Sequence, residues 1–356
     1  MPLAPGFVVG DYEVVRPLGA GAMGEVFEGV HPIIGKRVAL KVMKAPAAEA
    51  LVEARRLLEE ARAVNAIRHK GIVDIFGANV LADGRPYLVM ELLEGQSLHQ
   101  YLLSRGPLPV ADAVDLLAGL LEPLAAAHRA GVIHRDLKPT NIFVTTGTPR
   151  VKLLDFGVSR RADREPLTLP EMTLGSVGFM SPEQMSGQPA PQSDLYAVGC
   201  IAWMLLTGRP VFPARGIGEL TKHHLFTKPP SIHTVRADVP DALARWVAQL
   251  LEKLPAARPA NAGEALERLE DARAEMAAEP TALPGRLRPL ELPPQPLVAI
   301  EDVATRQHRR PVAPSEAKTI PALVGMHRRE SLPHETLSAD DDEDQTVRIE
   351  PPVRKK

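Results

Sequence analysis

Between residues 132 and 157 the chain reads VIHRDLKPTNIFVTTGTPRVKLLDFG. It sets Asp136, Asn141 and Asp155 between short apolar runs, with Lys138 two residues beyond the first carboxylate. Asp136 can accept a proton from an attacking alcohol, and Lys138 can neutralise a phosphoryl group in transfer. Asn141 and Asp155 offer the hard oxygens that Mg²⁺ prefers. Such groups act only if the backbone beneath them is rigid. The apolar runs at 142–144 and 151–154 read as strands, which leaves the polar residues in turns at the strand ends.

A second phosphate-gripping element lies near the N-terminus. Gly19, Gly21 and Gly24 form a G-x-G-x-x-G turn, whose missing β-carbons let backbone N–H groups approach phosphate oxygens. A dinucleotide fold would need a helix straight after these glycines and an acidic residue about 20 positions on. Here β-alternating text follows instead, with Val26 two residues past the last glycine and V-A-L-K at 38–41. Residues 12–42 read as two strands joined by this hairpin and a third strand at 37–42. Residues 47–67 are strong helix formers with Leu51, Leu57, Leu58, Ala61, Val64 and Ile67 on one face. Two further strands, 72–77 and 87–90, complete a small antiparallel sheet. Beyond it the text is helical: 108–130 with Gly131 as a plausible C-cap, a buried helix opening at Asp194, and a last helix over 262–278. Asp194 is expected both to cap its helix and to bind the backbone of the 134–141 loop.

At these positions the sequence resembles the protein kinase superfamily, most of all the bacterial eukaryotic-like Ser/Thr kinases. H-R-D-x-K-x-x-N stands unbroken at 134–141, D-F-G at 155–157, and the glycine turn carries the family's following valine and lysine strand. S-P-E at 181–183 is a variant of the family's A-P-E, and Arg258 matches the arginine that pairs with its glutamate. The resemblance covers about residues 11–278. It implies an α+β, bilobal kinase fold: a small antiparallel N-lobe sheet with one regulatory helix (about 11–90), a hinge at 91–95 and a mainly helical C-lobe (about 96–278). It implies ATP as co-substrate and Mg²⁺, for which Mn²⁺ could substitute, held by Asn141 and Asp155.

Asp136 is then the base, with Lys138 beside it. Lys41 holds the α- and β-phosphates, and Val26 and Ala39 sandwich the adenine within a site that includes Leu18 and Phe143. Backbone groups near Glu91 and Leu93 bond the adenine, behind a gatekeeper at Met90. A carboxylate from the 47–67 helix must orient Lys41; Glu49, Glu53, Glu59 and Glu60 compete, and spacing favours Glu60. Arg135 marks enzymes whose activation loop is ordered by phosphate, for which Thr168 and Thr173 are candidates. Two departures stand in the 175–180 run: Ser176 replaces threonine and Phe179 replaces tyrosine. The serine hydroxyl can still bridge Asp136 and Lys138.

Composition narrows the remaining classes. Of 356 residues 45% are hydrophobic and 24% charged, near the globular average, while 35 prolines are about twice the usual share. A net charge of −2 argues against nucleic acid or an anionic membrane as partner. One cysteine, Cys200, excludes an intrachain disulfide and reads as a small buried hydrophobe. No secretory leader is evident, and the longest apolar run, 195–206, falls short of the ~20 residues of a membrane span. A cytoplasmic enzyme is expected, with protein substrates and a dimer possible for trans-autophosphorylation. Residues 279–356 turn Pro-rich and charged and read as a mostly disordered tail after a kinase domain at 11–278; residues 1–10 are an extension. Within the tail, the acidic run 340–344 precedes Thr346, a pattern that resembles phosphothreonine motifs read by FHA-type domains. A pseudokinase would lack one of the catalytic groups, and a small-molecule phosphotransferase would not need D-F-G, S-P-E and Arg258 together.

Overall fold

The computed structural model describes residues 3–21, 24–44, 50–156 and 174–278, without the side chains of 50–54, 56, 60 and 174. The chain divides into two units, Met1–Arg306 and Gln307–Lys356, and every described residue belongs to the first. The first lobe is an antiparallel sheet of β1 (Val8–Val9), β2 (Tyr12–Ala20), β3 (Gly24–Val30), β4 (Arg37–Met43), β5 (Ile75–Val80) and β6 (Pro86–Glu91), in the order β1-β2-β3-β4-β6-β5. Helix α1 (Ala50–Ile67) lies between β4 and β5 in sequence.

Strand alternation sorts this sheet into two faces. Phe27, Val38, Leu40, Val42, Tyr87 and Val89 pack on one face with Leu3 and Val9 from the N-terminal segment. Val26, Ala39, Lys41, Leu88 and Met90 occupy the other, because Lys41 pairs with both Val26 and Leu88, and Ala39 with Met90. Leu88 there joins Leu57, Ala61 and Val64 of α1 in a core that continues into the second lobe. Asn65 pins the helix to the sheet: its amide donates to the Ile75 carbonyl at 2.7 Å and its oxygen accepts the Ile75 N–H at 3.3 Å.

The strand expected at 72–77 begins later, at Ile75. Ile72 and Val73 instead pair with Leu153 of the second lobe, the Val73 N–H donating to its carbonyl at 3.1 Å while the Leu153 N–H donates to Gly71 at 2.8 Å. These apolar residues serve the junction between lobes.

In the second lobe β7 (Gly95–Ser97), β8 (Ile142–Thr145) and β9 (Val151–Leu153) form a small antiparallel sheet. Around it run α2 (Leu98–Arg105), α3 (Val110–Arg129), the short α4 (Leu174–Val177) and α5 (Pro182–Met185), then α6 (Pro191–Thr207), α7 (Ile217–Phe226), α8 (Asp241–Leu250) and α9 (Ala262–Ala278). Gly131 follows α3 at φ 74°, the left-handed conformation that ends helices at little steric cost. Helix α6 is apolar on every side because the other helices enclose it; Leu195, Tyr196, Ile201 and Leu206 are all buried. Cys200 lies inside it, and burial pushes its thiol up to about 12, so it is inert. Among the described residues no helix is long and apolar enough to cross a membrane.

Helix α6 starts at Pro191, whose fixed φ suits a first helical position, so Asp194 lies inside the first turn and does not cap the helix. The Ala190 N–H donates instead to the Ser193 hydroxyl at 3.0 Å.

The same hydroxyl donates to Glu183 at 2.6 Å, within the buried ion pair that fastens α5 to the helical core. Arg258 meets Glu183 through two parallel bonds of 2.7 and 3.0 Å. Its remaining N–H groups reach the carbonyls of Gln192, Glu252 and Lys253 at 2.7–3.0 Å. A buried guanidinium is tolerated only with such complete pairing. Burial alone would raise the Glu183 carboxyl, but bonds from Arg258 and Ser193 outweigh it and hold the group below its usual range. A lowered folded pKa adds stability that is full above the ordinary value of 4.5 and is lost as the pH falls through the folded value. Glu183→Gln should therefore cost about 3 kcal/mol in urea unfolding at neutral pH, by stranding a buried cation. The gap to the parent should narrow as the pH falls below 4.5 and close once it is below the folded value. A gap of constant size across that range would show that the charge of Glu183 plays no part in the anchor.

Candidate active site

The 134–141 loop hangs from Asp194. This buried carboxylate accepts the His134 N–H at 2.8 Å and the Arg135 N–H at 2.9 Å. Arg135 adopts φ 65°, unusual for a residue with a β-carbon, and the paired N–H bonds hold it there. Gln184 of α5 donates its amide to the Arg135 carbonyl. Behind Asp194 stands His128, also buried, with Nε2 2.9 Å from the carboxylate. Its Nδ1 accepts the Ala262 N–H at 3.1 Å, so Nε2 is the nitrogen that donates to Asp194. His134 is fully buried, which lowers its pKa; its Nε2 donates to the Leu154 carbonyl at 3.0 Å and its ring lies 4.5 Å from that of Phe156. The loop is thereby tied to the strand that leads into D-F-G.

Four predicted side chains meet at the mouth of this loop. Lys138 Nζ lies 3.0 Å from Asp136 Oδ2 and 3.0 Å from Ser176 Oγ, so the lysine links the carboxylate to the hydroxyl of the 175–180 run. Asn141 donates its amide to the Asp136 carbonyl at 2.8 Å and to Oδ2 at 3.1 Å. With its nitrogen so engaged, its carbonyl oxygen is the donor left for a cation. Asp155, at φ 45°, holds its carboxylate 2.6 Å from Lys41 Nζ. Both lobes thus contribute, Lys41 from the first and Asp136, Lys138, Asn141 and Asp155 from the second, and the Leu154 N–H beside Asp155 donates to the Asn141 backbone carbonyl at 2.9 Å.

Lys41 shares its face of the sheet with Val26, Ala39 and Met90. Leu18 sits at a bulge in the β2–β3 pairing and is exposed. Glu91 ends β6 with its N–H bonded to the Asp74 carbonyl at 2.9 Å; Leu93 follows, half-buried, and Phe143 lies in β8 of the second lobe. The glycines divide by role. A β-carbon on Gly19 or Gly21 would meet open space, whereas one on Gly24 would lie 2.4 Å from the Val42 carbonyl oxygen. Gly19 and Gly21 leave room for a ligand; Gly24 lets β3 approach β4.

Sequence reasoning missed His128 and Lys152. Neither belongs to a local pattern, and each matters through a partner more than sixty residues away, Asp194 and Glu91 respectively. The departures from family pattern are accommodated: Ser181 caps α5 by accepting the Gln184 N–H at 3.3 Å, and Phe179 is buried where a hydroxyl would need a partner. Glu60 lies on α1, but its side chain is outside the described residues, as are Thr168, Thr173, Gly157 and the whole of 279–356 with Thr346.

A family model for the protein kinase domain matches residues 12–268. The chain is 39% identical over 293 residues to the serine/threonine-protein kinase Pkn1 of Myxococcus xanthus, covering 80% of this chain and 42% of that protein. It is 33% identical over 292 residues to the serine/threonine-protein kinase PknA of Mycobacterium tuberculosis, covering 80% of this chain and 67% of that one. The crystal structure of the M. tuberculosis PknI kinase domain matches at a TM-score of 0.59 and 26% identity, covering 76% of this chain and all of that domain. The chain therefore spans less than half the length of Pkn1. The matched span contains the loop, the glycine turn, D-F-G and the Glu183–Arg258 anchor, and the chain belongs to the protein kinase family.

Proposed function

We propose that this chain is a Ser/Thr protein kinase that moves the γ-phosphoryl group of ATP onto protein Ser and Thr hydroxyls. The observation that carries the reading is the convergence of Asp136, Lys138, Asn141 and Ser176 beside the Lys41–Asp155 pair. The acceptor hydroxyl attacks the γ-phosphorus, its proton passes to Asp136, and the bond to the bridging oxygen breaks to release ADP. Lys138, bonded to Asp136, is placed to offset charge on the transferring group, and Lys41 to hold the remaining phosphates. Among the described residues no cluster of three or more His, Cys, Asp or Glu could hold a metal alone. Asp155 and the Asn141 oxygen would hold a cation together with phosphate, as Mg²⁺ prefers. Mg²⁺, or Mn²⁺ in its place, would there neutralise phosphate charge. A cytoplasmic setting follows from dependence on ATP.

Lys41→Met and Asp155→Asn each remove charge stabilisation and little core. Each should lower transfer to a generic protein substrate, followed with radiolabelled ATP, by more than about a hundredfold while leaving cooperative unfolding intact. Near-normal turnover in either variant would remove the site assignment.

Regulation by autophosphorylation is supported by Arg135 and by the hydroxyls at Thr168 and Thr173. A phosphate on that segment would pair with Arg135 and order the loop. Alanine at both threonines should lower kcat several-fold; an undiminished kcat would mean that the loop orders itself without phosphate. Trans-phosphorylation of this kind would bring two copies together. The acid-flanked Thr346 is proposed as a docking site for an FHA-type reader, checked by titrating such a domain with the Thr346 phosphopeptide and its unphosphorylated form. Equal binding of the two forms would dismiss it.

A further inference from the structure

Lys152 is a buried cation that the reaction above does not use. It is 7% exposed, and its Nζ lies 2.5 Å from Oε2 of Glu91. The two residues belong to different lobes: Glu91 closes β6 of the first sheet, and Lys152 is the middle residue of β9 in the second. Burying an ammonium group requires a partner of opposite charge at close range, so wherever Lys152 goes the Glu91 carboxylate must follow.

The strand geometry shows what this pair connects. In β9, Val151 and Leu153 face the hydrophobic core, which by alternation turns Lys152 to the other side. Its partner in the ladder is Phe143, so the two share that face of the β8–β9 pair. Three residues after Lys152 comes Asp155, in contact with Lys41. At the other end of the pair, Glu91 is fastened through its own N–H to the Asp74 carbonyl at 2.9 Å, and its strand carries Met90. One ion pair therefore spans from the backbone beside the adenine end of the cleft to the strand that delivers the carboxylate at its phosphate end.

We propose that Lys152 is a positioning residue for the nucleotide. Its ion pair with Glu91 locks the hinge strand to the strand carrying Asp155 and so sets the spacing between the two ends of the ATP site. This rests on the reading of the cleft as a nucleotide site. Because the strut acts on a site already shaped for the whole nucleotide, its loss weakens binding of ATP and ADP alike more than it slows transfer.

The test is a set of full-length variants, Lys152→Met, Lys152→Arg, Glu91→Met and the Lys152→Met/Glu91→Met double change. Each is assayed for KM and kcat with ATP, for ADP affinity by titration calorimetry with Mg²⁺, and for thermal unfolding. Lys152→Met should raise KM for ATP and Kd for ADP about tenfold, with kcat falling far less, the pattern of lost uniform binding. Lys152→Arg, which keeps the charge, should restore most of the affinity. The double variant should be no weaker than the worse single one, as expected when both changes break one interaction. A lower melting temperature with unchanged KM and Kd would reduce Lys152 to a structural role and overturn the proposal, as would additive losses in the double variant. If the parent protein itself showed no saturable ADP binding, the nucleotide-site reading would fall and the strut with it. If the parent binds ADP and Lys152→Met binds it equally, the strut alone fails.

Discussion

The carboxylate of Asp194 is the fixed point of this molecule. Two successive backbone N–H groups, from His134 and Arg135, end on it, and the side chain of His128 supports it from behind. A buried anion costs several kcal/mol unless its lone pairs are filled, and here the loop that bears Asp136 fills them. The arrangement also sustains the left-handed Arg135, a conformation that costs on the order of 1–2 kcal/mol when left unsupported. Through His128 and the Ala262 N–H the same node reaches α9, so α3, α6, α9 and the loop share one hydrogen-bonded centre.

From that centre the site is assembled outward across two lobes joined by a shared apolar core and by a few defined bonds. Strand β9 carries most of them. Leu153 exchanges backbone bonds with residues 71–73, Lys152 holds Glu91, and the strand runs on to Asp155 and its contact with Lys41. Apolar and charged residues alternate along these few positions because one face of β9 closes the core while the other turns Lys152 to Glu91. Each lobe holds its own part of the site, and the shared core together with these bonds joins the two parts. Phosphoryl transfer by positioning and electrostatics requires that division: little covalent chemistry is asked of the protein, and much geometric control.

A second buried ion pair in the same lobe repeats the device. Arg258 closes a ring of carbonyls and the Glu183 carboxylate, fastening α5 to the helical core. Gln184, next to Glu183, then bonds the Arg135 carbonyl, so this anchor and the Asp194 node are mechanically continuous. Lys138 and Ser176 meet between them.

Much of this was legible in the chain itself because the decisive signals are local. The loop at 134–141, the D-F-G triplet, the glycine turn and the helix at 262–278 are each written within a few residues, and propensity and alternation act over that range. Even Arg258 and Glu183, seventy-five residues apart, could be paired from their motifs, and the structure joins them. Other features could not be read that way. Ile72 and Val73 look like the start of a strand, yet they leave the sheet for Leu153 because burial at the lobe junction outweighs intrinsic strand preference. Asp194 looks like a helix cap, yet Pro191 starts the helix earlier and frees the carboxylate for the loop. His128 and Lys152 carry no local signature at all. Their roles exist only once folding brings Asp194 and Glu91 within hydrogen-bonding range, where a buried charge must find its partner. Residue order determined which groups could do the chemistry; long-range packing decided which buried side chains hold them in place.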